Sequence, residues 1–221
     1  MVTVAHNAKI LSKLRRIITM IPFSLLIAGC EHPILVEGLA LESPLFGKLG
    51  GRSFSELCES DQLVTGIAMS EAKSWGCGLF TGCDCIDCHD YKPICSGGAH
   101  SNNREYLDFS VAHTPERYTA ILSCPPNHVV VGVDVRSGHY IDSISLRCAR
   151  LRVESAGNDD KVTHGDRAYT GYRTFYGDGM GGGGATFQCP AESAINAISG
   201  GADSSLHSLK LYCANVTIKH E

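Results

Sequence analysis

The sequence predicts an all-β domain built from three copies of one cysteine-bounded unit. One copy runs from Cys124 to Cys148 and another from Cys189 to Cys213; both begin Cys-Pro and place the second cysteine 24 residues after the first. A weaker copy runs from Cys58 to Cys83, 25 residues on, so the first cysteines recur with a period of about 65. Repetition at a fixed period determines the architecture, because each copy forms the same supersecondary unit. We therefore expect a body with three-fold pseudo-symmetry.

The first 29 residues predict an export signal, and Cys30 predicts a lipid anchor. Four basic residues precede an apolar run from residue 17 to 29, which is too short to span a membrane comfortably. The run ends in Ile27-Ala28-Gly29-Cys30, a pattern typical of a bacterial lipobox in which Cys30 is palmitoylated and becomes the first mature residue. An ordinary cleaved signal peptide is the alternative. Glu31 is not the aspartate of an inner-membrane retention signal, so we expect the outer membrane or cell surface.

The predicted mature chain is acidic, and this excludes some partners. It carries 15 Lys and Arg against 23 Asp and Glu, a net charge of −8. Nucleic-acid binding rests on neutralising phosphates with Lys and Arg, so no nucleic-acid partner is expected. Anionic lipid heads would also be repelled, which leaves the acyl chain on Cys30 as the expected contact with the bilayer.

After the signal, the chain reads as a tether over residues 30–45 and a domain over residues 46–221. The domain divides into repeats at about 46–100, 101–160 and 161–219. Within them, short runs rich in β-branched residues or alternating between apolar and polar residues predict strands, and Gly, Ser and Asp between the runs predict turns. No stretch after residue 30 has the length or the periodicity of a long helix.

The cysteine count fits an exported, disulfide-stabilised domain. Eleven cysteines less the acylated one leave ten, in an oxidising compartment. The simplest pairing closes each repeat on itself: Cys58 with Cys83, Cys124 with Cys148, and Cys189 with Cys213. Each loop of about 25 residues would stabilise the fold by roughly 3–4 kcal/mol in the chain-entropy model. Disulfides among the four other cysteines, Cys77, Cys85, Cys88 and Cys95, are expected as well.

The repeats resemble the β-prism proteins, namely the jacalin-like lectins and vitelline membrane outer layer protein I. The resemblance lies in Cys-Pro followed by a Val-rich run, Arg136-Ser-Gly138, Ile141-Asp-Ser-Ile144 and the second cysteine. Residues 124–148 carry it best, residues 176–213 well and residues 46–70 weakly. It implies three four-stranded Greek-key sheets around a pseudo-three-fold axis, the β-prism.

The resemblance also implies one carbohydrate site. Mannose-type jacalin-like lectins bind sugar with a Gly-x-x-x-Asp loop that faces a Gly-Gly loop, and this chain has Gly138-His139-Tyr140-Ile141-Asp142 and Gly181-Gly182-Gly183-Gly184. An ionised Asp142 would accept hydrogen bonds from two sugar hydroxyls, and glycines let the backbone approach the sugar. Tyr140 would stack on the apolar face of a sugar ring.

Two observations limit this interpretation to a single loop at most. The equivalent of Gly138 and Asp142 in repeat three is Asp203 and His207, so both defining residues are lost there. In repeat one the cysteine-rich segment takes the place of the loop. The alternative for Asp142 is purely structural, because Asp commonly caps a β-turn.

Residues 83–89 allow two rival interpretations. Cys85-Ile-Asp-Cys88-His89 matches the attachment pattern of c-type haem, with both thiols bonded to the haem and His89 as an axial ligand. A zinc site from Cys83, Cys85, Cys88 and His89 has suitable ligand types but cramped spacing. Disulfides are the favoured interpretation, so no metal and no cofactor is expected.

The sequence therefore predicts a surface carbohydrate-binding module and not an enzyme. No Gly-x-Ser-x-Gly nucleophile motif is present, and no spacing marks a pair of carboxylates suited to glycoside chemistry. The alternatives are a small exported c-type haem protein and a non-catalytic structural surface protein.

Overall fold

The computed structural model describes residues 34–72, 88–96, 99–103, 106–109, 120–156, 159–171, 173–174, 182–203 and 205–219. These residues form fifteen strands, every one of them paired antiparallel. No helix long and apolar enough to cross a membrane occurs within these ranges. The strands are β1 (Ile34–Glu42), β2 (Phe46–Gly47), β3 (Arg52–Leu57), β4 (Val64–Ala72), β5 (Cys88–Cys95), β6 (Ala99–Asn103), β7 (Tyr106–Phe109), β8 (Ala120–Ser123), β9 (Val129–Ser137), β10 (Ile141–Ala156), β11 (Asp159–Tyr169), β12 (Arg173–Thr174), β13 (Gly183–Gln188), β14 (Ser193–Ala202) and β15 (Leu206–Ile218).

The three sheets form a β-prism, as the fold class predicted from the sequence requires. Each sheet is built on one antiparallel hairpin: β4–β5, β9–β10 or β14–β15. The sheets are unequal, with five, seven and three strands in the part of the chain that is described, where the resemblance implied four in each. The additions have identifiable positions: β1 and β2 pair along β15, while β7, β11 and β12 pair along the long β10.

One disulfide closes each hairpin at the same position. In every repeat, the residue six places after the first cysteine lies opposite the second cysteine in the hairpin register. The bridges Cys124–Cys148 and Cys189–Cys213 are both present, each with a sequence separation of 24. In the first repeat, Val64 lies opposite Cys95, and the bridge is Cys58–Cys95 with a separation of 37.

The predicted pairing of Cys58 with Cys83 is therefore wrong, although one disulfide does close each repeat on itself. The bridge joins equivalent strand positions, and thirteen additional residues before β5 move that position from the neighbourhood of residue 82 to Cys95. Cys83 itself lies outside the described residues. The expectation that Cys95 pairs with another member of the cysteine-rich segment is corrected at the same time.

The repeats exchange strands in a ring. The strand that enters repeat two, β8, pairs with β4 of repeat one, and β13 pairs in the same way with β9. The ring closes because β3, which enters repeat one, pairs with β14 of repeat three. Three equivalent backbone hydrogen bonds mark this closure. The N–H of each first cysteine donates to a carbonyl of the preceding hairpin: Cys124 to Thr65, Cys189 to Val131 and Cys58 to Asn196, at 2.8, 2.8 and 2.9 Å.

Two hydrophobic cores share the long strands. The first lies between the three hairpins and the second beneath β1, β7 and β11. Successive strand residues point to opposite faces, so β15 serves both cores by changing the buried face at its cysteine. Leu209, Leu211 and Cys213 pack in the first core, and Ala214, Val216 and Ile218 pack in the second.

Residues 34–42 belong to the domain and not to a tether, which corrects the predicted boundary at residue 46. β1 pairs with β15, with Ile34 opposite Ile218, and Ile34 and Val36 are buried in the second core. These apolar residues at alternate positions fit a half-buried strand. Only residues 31–33 separate Cys30 from β1.

The first prediction concerns the corrected disulfide. Cys95→Ser should expose the Cys58 thiol to alkylation and lower the free energy of unfolding by about 4 kcal/mol, the chain-entropy value for a loop of this length. The matched variant Cys83→Ser should leave Cys58 protected. Because Cys58 is buried in the folded protein, alkylation of the unreduced protein in denaturant, followed by mass spectrometry, decides between the pairings. A Cys58 that reacts only in Cys83→Ser would contradict the structure.

The second prediction concerns pH. His164 on β11 is partly buried, and its Nε2–H donates to the Ser193 carbonyl at 2.7 Å. Burial lowers the pKa of His164 below its usual 6.5, more than the hydrogen bond to Ser193 raises it. The unfolded chain then binds more protons than the folded one around and below pH 6.5. The stability contributed by the neutral His164 should therefore be fully present well above pH 6.5 and be lost as the pH falls below it. His164→Gln, which retains a donor, should show a smaller loss of melting temperature between pH 7.5 and 5; an equal loss would contradict this assignment.

Candidate functional site

The predicted Gly138–Asp142 loop joins β9 to β10 at one end of the prism. Its turn is closed by the backbone, because the Gly138 N–H donates to the Tyr140 carbonyl at 2.9 Å. Gly138 and His139 are exposed, whereas Tyr140 and Asp142 are half-buried. The loop is short because Ser137 and Ile141 already pair across the hairpin. The two flanking strands therefore constrain the backbone of the loop.

The glycine run meets this loop at Gly182. A Cβ at Gly182 would collide with Oδ2 of Asp142 and with the carbonyl group of Ser137, so no other residue fits without displacing the loop. At Gly183 and Gly184 an added Cβ would meet nothing within 4 Å, and both residues are exposed. Gly181 lies outside the described residues. Strand β13, which pairs with β9, holds this contact in place.

One oxygen of the Asp142 carboxylate lacks a hydrogen-bond donor among the described residues. This oxygen, Oδ2, is buried. An acceptor buried without a donor costs about 1–3 kcal/mol, and such an atom calls for an explanation in a native structure. The role of turn cap does not supply one, because the backbone closes this turn. Because Gly182 covers Oδ2, a ligand hydroxyl would meet the carboxylate from the part of the half-buried side chain that stays accessible.

A third segment, residues 47–51, adjoins the loop, and the sequence had not indicated it. Lys48 Nζ lies 3.1 Å from His139 Nε2, and both side chains are exposed. The Lys48 N–H donates to the His207 carbonyl at 3.1 Å, which fastens the segment to the start of β15. The available signal was the pair Gly50-Gly51 at the entry to repeat one. This pair leads into repeat one and lies against the hairpin loop of repeat three, just as the glycine run leads into repeat three and lies against the hairpin loop of repeat two.

In the corresponding loop of repeat three, the carboxylate of Asp203 has hydrogen-bond partners within the loop and at the start of β15. Asp203 accepts from the Ser205 N–H at 3.0 Å through Oδ1 and contacts His207 Nε2 at 2.8 Å through Oδ2. The backbone of Gly50 approaches the other ring nitrogen of His207, as Gly182 approaches Asp142. Both loops are thus covered by glycines, but in repeat three an imidazole occupies the place of the Asp142 carboxylate.

Tyr140 connects the two loops. Its ring lies edge-to-face against the imidazole of His207, with the ring centroids 4.7 Å apart. Such pairs contribute about 0.5–1.5 kcal/mol beyond the area they bury. Tyr140 therefore has a structural contact, and stacking on a sugar ring stays a prediction.

The cysteine-rich segment adds no assembled site to the described part of the chain. Cys88 and His89 begin β5, opposite Ala72 and Glu71, while Cys83 and Cys85 lie outside the described residues. Among the residues with assigned positions, no group of three or more His, Cys, Asp and Glu side chains is arranged to hold a metal ion. The haem and zinc interpretations stay untested predictions.

Comparison with known proteins does not identify the function of this chain. No family model and no curated protein matches the chain. Among solved structures, the chain is similar to the crystal structure of Calystegia sepium agglutinin, with a TM-score of 0.36 and 11% sequence identity. That similarity covers 81% of this chain and 99% of the agglutinin. At this level it shows neither a shared family nor a shared ligand.

Proposed function

We propose that the protein is a carbohydrate-binding module, and that neutral glycans bind where the Gly138–Asp142 loop meets Gly182–Gly184. The single observation that carries this proposal is the juxtaposition of a carboxylate with an exposed glycine backbone from a different repeat. The carboxylate of Asp142 would accept from sugar hydroxyls, and the charge makes such bonds stronger than neutral ones. The amides of the glycine run would supply donors without a side chain in the way.

The chemistry of the loop favours a polyhydroxylated ligand over an apolar one. The loop carries a carboxylate, an imidazole and a phenol, and the adjoining Lys48 adds an ammonium group. Few hydrogen bonds and little buried area yield about 4–6 kcal/mol, which corresponds to a Kd between millimolar and tens of micromolar. Such affinity suits a module that gains strength from many copies on one surface.

The third prediction tests the site with matched variants. Asp142→Asn should abolish binding on a glycan array, because it removes the charge that strengthens hydrogen bonds to sugar hydroxyls. Its melting temperature should stay near that of the wild type, because the two side chains have the same size and shape. Gly182→Ala should also lose binding and should lower stability, since its Cβ would displace Asp142 or Ser137.

The control is Gly171→Ala, because this exposed glycine lies outside the site and an added Cβ meets nothing within 4 Å. It should match the wild type in both binding and stability. Undiminished glycan binding by Asp142→Asn would refute the site. A wild-type protein that binds no glycan on the array would favour the structural surface protein instead.

We also propose that the protein is an exported bacterial lipoprotein, acylated at Cys30 and held at the outer membrane or cell surface. The support is the lipobox pattern Ile27-Ala28-Gly29-Cys30 and the basic n-region ahead of it. The three disulfides fit an oxidising compartment. An acyl chain confers membrane affinity without a spanning segment.

The fourth prediction is that a bacterial host fed with labelled palmitate marks the wild type and not Cys30→Ser. The reason is that only the thiol of the lipobox cysteine receives the acyl chain. Cys88→Ser serves as the control that retains the lipobox and should be labelled like the wild type. Equal labelling of wild type and Cys30→Ser would remove the lipoprotein proposal.

A further inference from the structure

We infer that the acyl chain on Cys30 holds the prism by the end opposite the loops, so that the proposed binding site points away from the bilayer. This inference rests on the proposed acylation of Cys30. It concerns the surface of the domain that faces lipid, and it is independent of which ligand the loops bind. The observations that carry it are the register of β1 against β15 and the position of the loops on β15.

The register places the two features at opposite ends of one strand. Ile34, the first residue of β1, pairs with Ile218, the last residue of β15. The loop of repeat three immediately precedes Leu206, the first residue of β15, and Tyr140 packs against His207 at that same end. Thirteen strand residues rising about 3.3 Å each separate the ends by about 40 Å.

The connection from the anchor is too short to reverse this arrangement. Only residues 31–33 lie between Cys30 and the buried Ile34, so four Cα–Cα steps connect the lipid to the strand. Fully extended, they reach about 14 Å, well below the length of β15. Residues of β1 could lengthen the connection only if they broke their hydrogen bonds to β15 and left the second core.

Among the described residues, the surface at the anchored end offers the bilayer no cluster of basic side chains. The turn after Cys58 lies against β1, because the Val36 N–H donates to the Ser60 carbonyl at 2.8 Å. The turn after Cys189 lies against the end of β15, because the Val216 N–H donates to the Glu192 carbonyl at 3.0 Å. Exposed acids outnumber exposed bases on these turns and the neighbouring strand ends: Glu59, Asp61 and Glu192 against Lys161 and Lys219. Attraction to anionic head groups needs clustered bases, so the contact would be made by the acyl chain alone.

The fifth prediction is a graded depth measurement on the acylated, full-length protein. p-Azidophenylalanine is placed singly at Leu49, Leu57 or Lys219 and coupled to a donor fluorophore, which leaves the cysteines untouched. All three residues are exposed. Leu49 lies beside the loops, Leu57 is level with Tyr212 halfway along β15, and Lys219 follows Ile218.

In phosphatidylcholine vesicles carrying an acceptor lipid, energy transfer should be greatest at Lys219, intermediate at Leu57 and least at Leu49. The order should not change when the salt concentration is raised or anionic lipid is added, because exposed acids outnumber exposed bases among the described residues at this end. Equal transfer at the three positions, or the greatest transfer at Leu49, would overturn the inference. So would a wild-type protein that does not associate with the vesicles, and that outcome would remove the lipid anchor as well.

Two variants separate this inference from the proposed glycan site. Asp142→Asn should keep the order of energy transfer while losing glycan binding, so a failure at the sugar site leaves the orientation standing. Cys30→Ser should show no transfer at any position while binding glycans in solution. Wild type that binds glycans but shows a reversed order would refute the orientation alone.

Discussion

The cyclic exchange of strands between repeats is the constraint on which the rest of this structure depends. Each hairpin is completed by the strand that enters the next repeat, and the last sheet is completed by β3, which comes from the first. Residues about 140 positions apart, such as Leu57 and Ala197, must therefore pair before the third sheet is whole. The three disulfides fasten the hairpins at equivalent positions, and this reduces the entropy that the unfolded chain would otherwise regain.

The same exchange creates the candidate site. A hairpin loop from one repeat is covered by the glycine-rich entry to the next, so Gly182 covers Asp142 and Gly50 covers His207. The two places share their backbone geometry and differ in their side chains. In repeat three the Asp203–His207 contact satisfies the acid within the loop, whereas in repeat two the buried Oδ2 of Asp142 has no partner among the described residues. Side-chain chemistry, and not the fold, sets the two loops apart.

The second core ties the beginning of the domain to its end. β15 buries one face before Cys213 and the other face after it, and the second face receives Ile34 and Val36 from β1. This packing fixes the amino-terminal end of the domain far from the loops. The fold thereby gives the prism a polarity, with the chain entering at one end and the candidate site at the other. For a chain acylated at Cys30, this polarity would set which end faces the membrane.

The sequence by itself determined the class of fold, the three-fold repetition and the two regular disulfides, because these follow from local spacing and from periodicity. The resemblance to the jacalin-like lectins, and not spacing, implied that the Gly-x-x-x-Asp loop faces the glycine run. Only the tertiary structure decided that Cys58 bonds Cys95. The insertion before β5 changes the spacing of the cysteines in the sequence, whereas the strand register keeps the second cysteine at the same position in the hairpin. The tertiary structure also decided that residues 34–42 form a strand, that Lys48 reaches His139 and that Oδ2 of Asp142 is enclosed. These contacts join segments from about 40 to more than 180 residues apart, and no local pattern specifies which distant strand or loop will supply the partner.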